Sequence, residues 1–140
     1  MTQRRSGTPA ERGVAGSRGA AVLAARAAAD KQAEDVVILD VHELIVITDH
    51  FVICTGGSDR QIKTIVEEIE KSLREHLDVK PVRREGEGEA RWILLDYVDV
   101  VIHVFAEEAR DYYDLERLWA DAPRVEWEGD GVVASAGSLD

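Results

Sequence analysis

A chain of 140 residues and 15.5 kDa is the size of a single domain, and an apolar content of 45% suffices for a core. The formal charge of −11, from 28 acidic against 17 basic side chains, argues against a nucleic-acid-binding protein, because phosphate contacts need cations. The single cysteine excludes an internal disulfide and a multi-cysteine zinc site, and the lack of a long apolar run or secretory signal predicts a cytoplasmic protein.

The chain begins with a polar segment followed by a helix-forming one. Residues 1–18 are rich in Gly, Ser, Arg and Thr without an apolar period, which predicts a flexible N-terminal tail. Alanine, the strongest helix former, dominates residues 20–33 and predicts a helix there. Because residues 129–140 are also predicted to be a flexible tail, the folded domain is expected to span residues 19–128.

Three β-rich apolar runs follow, at residues 36–39, 44–48 and 51–55, and each predicts a strand. Ser58 and Gln61 then fit a capping box, in which two side chains satisfy free backbone N–H groups at the start of a helix. Apolar residues continue from there at helical spacing. The sequence therefore predicts a helix that begins at Ser58 and ends at His76.

The second half of the chain predicts an edge strand, a hairpin and a final helix. A proline-led segment over 81–84 is typical of an edge strand, and residues 85–89 form a charged, glycine-rich turn. Residues 92–97 and 100–105 predict two strands joined by a short hairpin, and a helix is expected over 107–119. Strands interspersed with helices predict an α/β fold with a mixed β-sheet flanked by helices.

The excess negative charge lies in the C-terminal part of the chain. Residues 85–140 carry 4 basic and 15 acidic side chains, while the preceding residues sum to zero. Such a segment fits either a solvated face that keeps the protein soluble or a surface that docks onto a basic protein. Charge alone leaves both interpretations open.

The nucleophilic and metal-ligating residues do not form a recognisable catalytic set. Cys54 lies inside an apolar run and is interpreted as a small buried hydrophobe. The four histidines are scattered, and His103, within a predicted strand, is interpreted as a core histidine. The sequence therefore predicts no catalytic residue, no metal and no cofactor, and hence a protein that is not an enzyme.

A nucleotide-binding enzyme is the alternative that these residues leave open. The segment Gly56-Gly57-Ser58 precedes a predicted helix, whose N-terminus attracts phosphate. With Asp96 and Asp99 as metal ligands, this arrangement would suit a nucleotidyltransferase that binds a nucleoside triphosphate. However, such carboxylates are typically two residues apart on one strand face, whereas these are three apart across a predicted turn.

The predicted strand over residues 92–97 combines aromatic and acidic side chains. Regular alternation directs two sets of side chains to opposite faces of the sheet. The sets are Trp92, Leu94 and Asp96 on one face and Ile93, Leu95 and Tyr97 on the other. A face with a tryptophan and an aspartate is typical of a binding surface, although a tryptophan that simply covers the core fits equally well.

At these residues the chain resembles the Iojap-type ribosomal silencing factors, a bacterial and organellar family. The strings that carry the resemblance lie in the same order along the predicted folded domain. They occupy residues 33–41, 48–56, 58–61, 92–97, 99–105 and 113–119. Two departures are Val98, where the family commonly has glycine, and the unusually acidic segment 85–90.

The resemblance implies a nucleotidyltransferase-like α/β fold without known catalysis. It also implies binding to ribosomal protein fourteen of the large subunit, which blocks subunit joining and lowers translation when nutrients are short. The resemblance implies a homodimer as well. Apart from the resemblance, a scaffold that mainly self-associates is a third alternative for the function. The implied partner-binding residues are Trp92, Leu94, Asp96, Tyr97, Asp99, Arg110 and Tyr113.

Overall fold

The computed structural model describes residues 9–86 and 91–128, with side chains from residue 16 onward, and shows an α/β fold on a mixed five-stranded sheet. The elements, in chain order, are α1 (Pro9–Asp30), β1 (Glu34–Asp40), β2 (His50–Gly56), α2 (Asp59–Leu77), β3 (Arg83–Glu85), β4 (Trp92–Asp96), β5 (Val100–Ala106), α3 (Glu107–Tyr113) and α4 (Leu115–Leu118). The predicted fold class is confirmed, while its likeness to nucleotidyltransferases stays a prediction.

The strands follow the order β1-β2-β5-β4-β3. β2 and β5 run parallel in the centre, with His50 opposite Val100 and Gly56 opposite Ala106, and the other neighbouring pairs are antiparallel. The predicted hairpin of β4 and β5 is confirmed, as is an edge strand at β3. The segment after α4 lies along the outer edge of β1, where the Val125 amide donates to the Ile38 carbonyl at 2.9 Å.

The sheet has two unlike faces. We call the first the helix-covered face, because α1 and α2 pack over its apolar side chains. These are Ile38, Val52, Cys54, Ile93, Leu95, Val100, Ile102 and Val104. We call the second the aromatic face, where α3, α4 and the turn after them cover Leu39, Phe51, Ile53 and Phe105. Its β4 side is open, so Trp92 and Leu94 are only half-buried there.

The predicted N-terminal tail over residues 1–18 is wrong for residues 9–18, because α1 begins at Pro9. Ser17 is buried, and its hydroxyl lies 2.6 Å from His50 Nδ1 and donates to the Asp99 carbonyl oxygen at 3.0 Å. These hydrogen bonds stabilise the helix around Ser17, where the Gly- and Ser-rich composition does not favour one. Residues 1–8 and the second predicted tail, 129–140, lie outside the described residues.

The strand predicted over residues 44–48 is also wrong. Those residues belong to the loop between β1 and β2, whose ladder ends at the pair of Asp40 and His50. The Val41 amide closes the loop by donating to the Asp49 carbonyl at 2.9 Å. The β-branched composition favours extended backbone, but none of the strands in the described residues pairs with it.

The two predicted helices after residue 56 differ in outcome. The helix predicted from Ser58 is confirmed as α2, with Ser58 as its N-cap. The helix predicted over 107–119 is interrupted at Asp114, which adopts a φ of 48° and separates α3 from α4. Aspartate tolerates this left-handed conformation better than most residues, so the chain bends there. Of the turn predicted over 85–89, residues 87–89 lie outside the described part.

Candidate protein interface on the aromatic face

Trp92 lies at the centre of a group of rings on the aromatic face. It stands opposite Phe105 in the β4–β5 ladder, and its ring centroid is 4.9 Å from that of Phe105 and 4.4 Å from that of Tyr113. Its indole N–H donates to His103 Nδ1 at 3.1 Å. The tryptophan is therefore held in one orientation while half-buried, which is typical of an aromatic anchor in a protein interface.

His103 supports Trp92 from within the core. Because its Nδ1 accepts the indole N–H, the neutral imidazole carries its proton on Nε2. Burial lowers the pKa of His103 from 6.5 to about 4, so the ring is uncharged at neutral pH. Phe51 packs against it edge-on at 5.1 Å. The interpretation of His103 as a core histidine is confirmed.

Leu94 and Asp96 continue the open part of the aromatic face toward the β4–β5 hairpin. Leu94 is half-buried. Asp96 accepts a 2.8 Å bond from the Val98 amide and lies 3.4 Å from the Arg83 guanidinium. The Asp96 carboxylate therefore shapes the hairpin as well as adding charge to the surface.

Tyr97 and Asp99 do not share the surface of Trp92. Tyr97 packs against the core of the helix-covered face, where its hydroxyl is buried and burial raises its pKa. This placement agrees with the alternation of the strand, but it separates Tyr97 from the rest of the set that the family resemblance implies. Asp99 lies in the hairpin, with an exposed side chain and a carbonyl oxygen that accepts from the Asp49 and His50 amides.

Arg110 is largely internal. Its guanidinium donates to Glu116 Oε1 at 3.0 and 3.1 Å and to Thr55 Oγ1 at 2.9 Å. It lines a polar cleft of about 500 Å³ between β1 and the α3–α4 segment. Its contacts tie α3 and α4 to the sheet.

Tyr113, by contrast, belongs to the surface around Trp92, and it has a neighbour that the sequence reasoning missed. The Tyr113 ring packs against that of Trp92 at an angle of 47°, and Tyr113 is 48% exposed. Tyr112 lies 5.0 Å away, edge-on to Tyr113, and is 80% exposed. Its signal in the sequence was the tyrosine pair at the end of a helix, where one ring packs and the next projects outward. We call Trp92, Leu94, Tyr112 and Tyr113 the aromatic patch.

The helix start at Gly56-Gly57-Ser58 is occupied by side chains of the protein itself. The Gly57 amide donates to Gln61 Oε1 at 2.6 Å, and the Gln61 amide donates to Ser58 Oγ at 3.1 Å. The predicted capping box thus forms with one difference: the Gln61 side chain accepts from the Gly57 amide instead of the Ser58 amide. A Cβ on Gly56 would lie 2.7 Å from Ile62 Cγ1, so this glycine serves close packing. These N–H groups are already satisfied without a phosphate.

The carboxylates of the alternative enzyme lie at the other end of the sheet. Asp96 is paired with Val101, whereas Gly56 is paired with Ala106. Five residues of extended strand separate these levels by about 17 Å. The structure therefore does not bring Asp96 and Asp99 to Gly56-Gly57-Ser58, as metal-assisted phosphate chemistry would require.

The remaining reactive side chains are enclosed. Cys54 is fully buried, as interpreted from the sequence, and burial raises the pKa of its thiol to about 12. His50 is buried beneath α1, where burial lowers its pKa to about 4. Within residues 9–86 and 91–128, no group of three or more His, Cys, Asp or Glu side chains could hold a metal ion. No helix in this part of the chain is long and apolar enough to cross a bilayer.

Comparison with known proteins assigns this architecture to a family. The family model of ribosomal silencing factor during starvation matches residues 15–138. Ribosomal silencing factors of Halalkalibacterium halodurans and Bacillus subtilis are 47% and 46% identical, covering 76% and 72% of this chain and 91% and 85% of theirs. A crystal structure of a Chromobacterium violaceum protein, 37% identical, covers 70% of this chain and 81% of its own, with a TM-score of 0.67.

Proposed function

This chain belongs to the ribosomal silencing factor family, and we propose on that basis that it binds ribosomal protein fourteen of the large subunit and blocks subunit association. It acts in the cytoplasm as a translation regulator and lowers protein synthesis when nutrients are limiting. It performs no catalysis, since steric exclusion needs no reacting group. The implied homodimer stays a prediction, and sedimentation over a concentration series is the measurement that checks it.

The observation that carries the proposal is the aromatic patch. The rings of Trp92 and Tyr113 are in contact at an interplanar angle of 47°, and the two side chains are partly exposed. Packing and the indole hydrogen bond to His103 hold Trp92 in place. Rigid aromatic side chains bury a large area at a low cost in conformational entropy, and they dominate the energetics of protein interfaces. A patch of this kind on the uncovered part of a sheet favours a protein partner over a small ligand.

The charge of the chain supports a basic partner. The segment from residue 85 onward holds the net charge of −11, and its described part includes β4 and α3, which carry the aromatic patch. Ribosomal proteins are basic, so opposite charges would speed encounter and orient docking. The bound domain would then occupy space that the small subunit needs, which is the whole mechanism.

Substitution of Trp92 by alanine tests this proposal. We expect Trp92→Ala to weaken binding to isolated large subunits by about 2 kcal/mol, which is about 30-fold in Kd. Trp127→Ala is the matched control, because Trp127 is also half-buried and hydrogen-bonded, but lies beside β1 against the core of the helix-covered face. Binding should be measured by co-sedimentation at a temperature where both variants are folded.

Light scattering of mixed subunits tests the mechanism itself. Excess wild-type protein should lower the formation of full-sized ribosomes, and Trp92→Ala should do so much less. Undiminished ribosome formation with saturating wild-type protein would overturn the proposal. Equal loss of binding in the Trp92 and Trp127 variants would overturn the assignment of the aromatic patch.

A further inference from the structure

A second apolar surface lies in the loop between β1 and β2. Val46 is 98% exposed and Ile47 is 73% exposed, so two adjacent β-branched side chains stand in water. Ile45, by contrast, packs against the core of the aromatic face, and Thr48 is buried. The loop is therefore anchored to the fold on both sides of two side chains that add nothing to its core.

The anchored loop is joined to the β4–β5 hairpin. The Asp49 and His50 amides both donate to the Asp99 carbonyl, at 3.0 and 3.1 Å. These bonds hold the loop at the end of the sheet where Asp96 and the uncovered part of the aromatic face lie. We call residues 41–49 and 97–99 together the loop–hairpin end.

The hairpin adds a third exposed apolar side chain at this end. Val98 has a φ of 74° and is exposed. A β-branched residue is strained in the left-handed region, because its Cβ crowds the backbone. Strain of this kind at an exposed position points to a role for the side chain outside the fold.

The loop–hairpin end is acidic without cations of its own. Its residues, with Asp40 before them, include four carboxylates and no Lys or Arg. Burial and the nearby Asp99 raise the pKa of Asp49, while the charge of His42 lowers it by a smaller amount. In the described part of the chain, neither Asp49 nor Asp99 has a Lys or Arg partner. His42 lies among these acids: it donates to Asp40, which raises its pKa, and its Nε2 is 3.6 Å from the Glu43 carboxylate.

We propose that the loop–hairpin end is a second contact surface for the large subunit, and that it takes a segment of basic protein bearing both Lys or Arg and apolar side chains. This inference rests on the proposed function and specifies its partner. Val46, Ile47 and Val98 supply the apolar contact, while Glu43, Asp49 and Asp99 bind the cations. Ribosomal RNA does not fit, because its phosphates would face four carboxylates and no Lys or Arg. A second copy of this chain would bring like charges together.

Paired substitutions measure the apolar and the electrostatic contributions separately. We expect Val46→Ser with Ile47→Ser to weaken binding to large subunits about tenfold, with unchanged thermal unfolding, since both side chains are exposed. Glu43→Gln with Asp99→Asn should slow association and flatten its dependence on salt. Leu77→Ser is the matched control, because Leu77 is 43% exposed at the end of α2 and lies outside both proposed surfaces.

A photoreactive amino acid at position 47 identifies the contact directly. Crosslinking to a basic protein of the large subunit supports the proposal, whereas crosslinking to ribosomal RNA or to a second copy of the chain overturns it. If the Val46 and Ile47 double variant binds within twofold of wild type while Trp92→Ala loses binding, the loop–hairpin end fails and the proposed function stands. If wild-type protein does not bind large subunits, both fail together.

Discussion

The two faces of the sheet differ in how far helices cover them. On the helix-covered face, α1 and α2 exclude water from nearly every apolar side chain of the inner strands. On the aromatic face, α3 and α4 are short and reach only part of the sheet, so the β4 side stays open. Because the strands are shared, adjacent residues of β4 lie in these two environments. The comparison separates side chains that stabilise the fold from those available to a partner.

The largest expected difference is between two adjacent leucines of β4. Leu95 is fully buried on the helix-covered face, so Leu95→Ala should cost about 3 kcal/mol of unfolding free energy through lost burial and a cavity. Leu94 is half-buried on the aromatic face, and Leu94→Ala should cost about 1 kcal/mol or less. Urea unfolding of both variants checks this.

Binding should reverse the order of the two leucine variants. Leu94→Ala should weaken binding to large subunits, while Leu95→Ala should leave it unchanged at a temperature where the protein is folded. Equal losses of stability in the two variants would mean that the faces are not distinct.

Acidification should lower the free energy of unfolding through His103 on the aromatic face. The pKa of His103 is about 4 in the fold and about 6.5 in an unfolded chain. Between these pH values the unfolded chain is protonated at this histidine while the folded protein is not. The stability that neutral His103 contributes is therefore fully present above pH 6.5 and is lost as the pH falls toward 4. At pH 5 the loss should be about 2 kcal/mol.

His103→Gln isolates this contribution, because the glutamine oxygen can still accept from the Trp92 indole. Unfolding free energies of both proteins at pH 7 and pH 5 give the comparison. A pH dependence as steep in the variant as in the wild type would contradict the assignment to His103. His50→Gln provides the same measurement for the helix-covered face, where burial also lowers the histidine pKa to about 4.

Close packing at the start of α2 distinguishes two adjacent glycines. A Cβ on Gly56 would meet Ile62 Cγ1 at 2.7 Å and its backbone nitrogen at 3.2 Å, so Gly56→Ala should cost about 1–3 kcal/mol. A Cβ on Gly57 would meet only the Gln61 side-chain oxygen at 3.1 Å, and that oxygen can move. Gly57→Ala should therefore stay within about 0.5 kcal/mol in thermal unfolding. The reverse order would refute the packing role of Gly56.

The smallest effect is expected at the hairpin that joins the strands of the open side. Val98→Gly removes the strain of a φ of 74° and should stabilise the fold by up to about 1 kcal/mol. The same change deletes an exposed apolar side chain of the loop–hairpin end, so binding to large subunits should weaken slightly. Val82→Gly, at an exposed valine before β3, serves as the control for loss of a valine side chain.

Local sequence patterns predicted the elements that depend on neighbours in the chain. The capping residues and apolar stripe of α2 lie within a few turns of one another, and the β4–β5 hairpin closes over three residues. The side-chain alternation of β4 followed from backbone geometry alone. For the same reason Trp92 and Leu94 could be grouped on one face before any tertiary structure was known.

Other features depended on contacts between distant residues. Composition predicted a tail that included residues 9–18. Ser17, however, is hydrogen-bonded to His50 and Asp99, which are far away in sequence. The β-rich run at 44–48 pairs with none of the described strands and forms a loop. The resemblance grouped Tyr97 with Trp92, but the chain directs Tyr97 into the opposite core.

The sequence by itself determined the fold class, the helix α2, the central hairpin, the acidic character of the C-terminal part and the family. The structural features follow from periodicity, capping and composition, which act over short stretches or over the chain as a whole. The family follows from the resemblance of the ordered sequence strings. Only the tertiary structure decided which face remains open, that Arg110 is tied to Glu116 and Thr55, and that Val46 and Ile47 are left in water. Burial and pairing between distant segments have no local signature, because they are properties of how the elements pack.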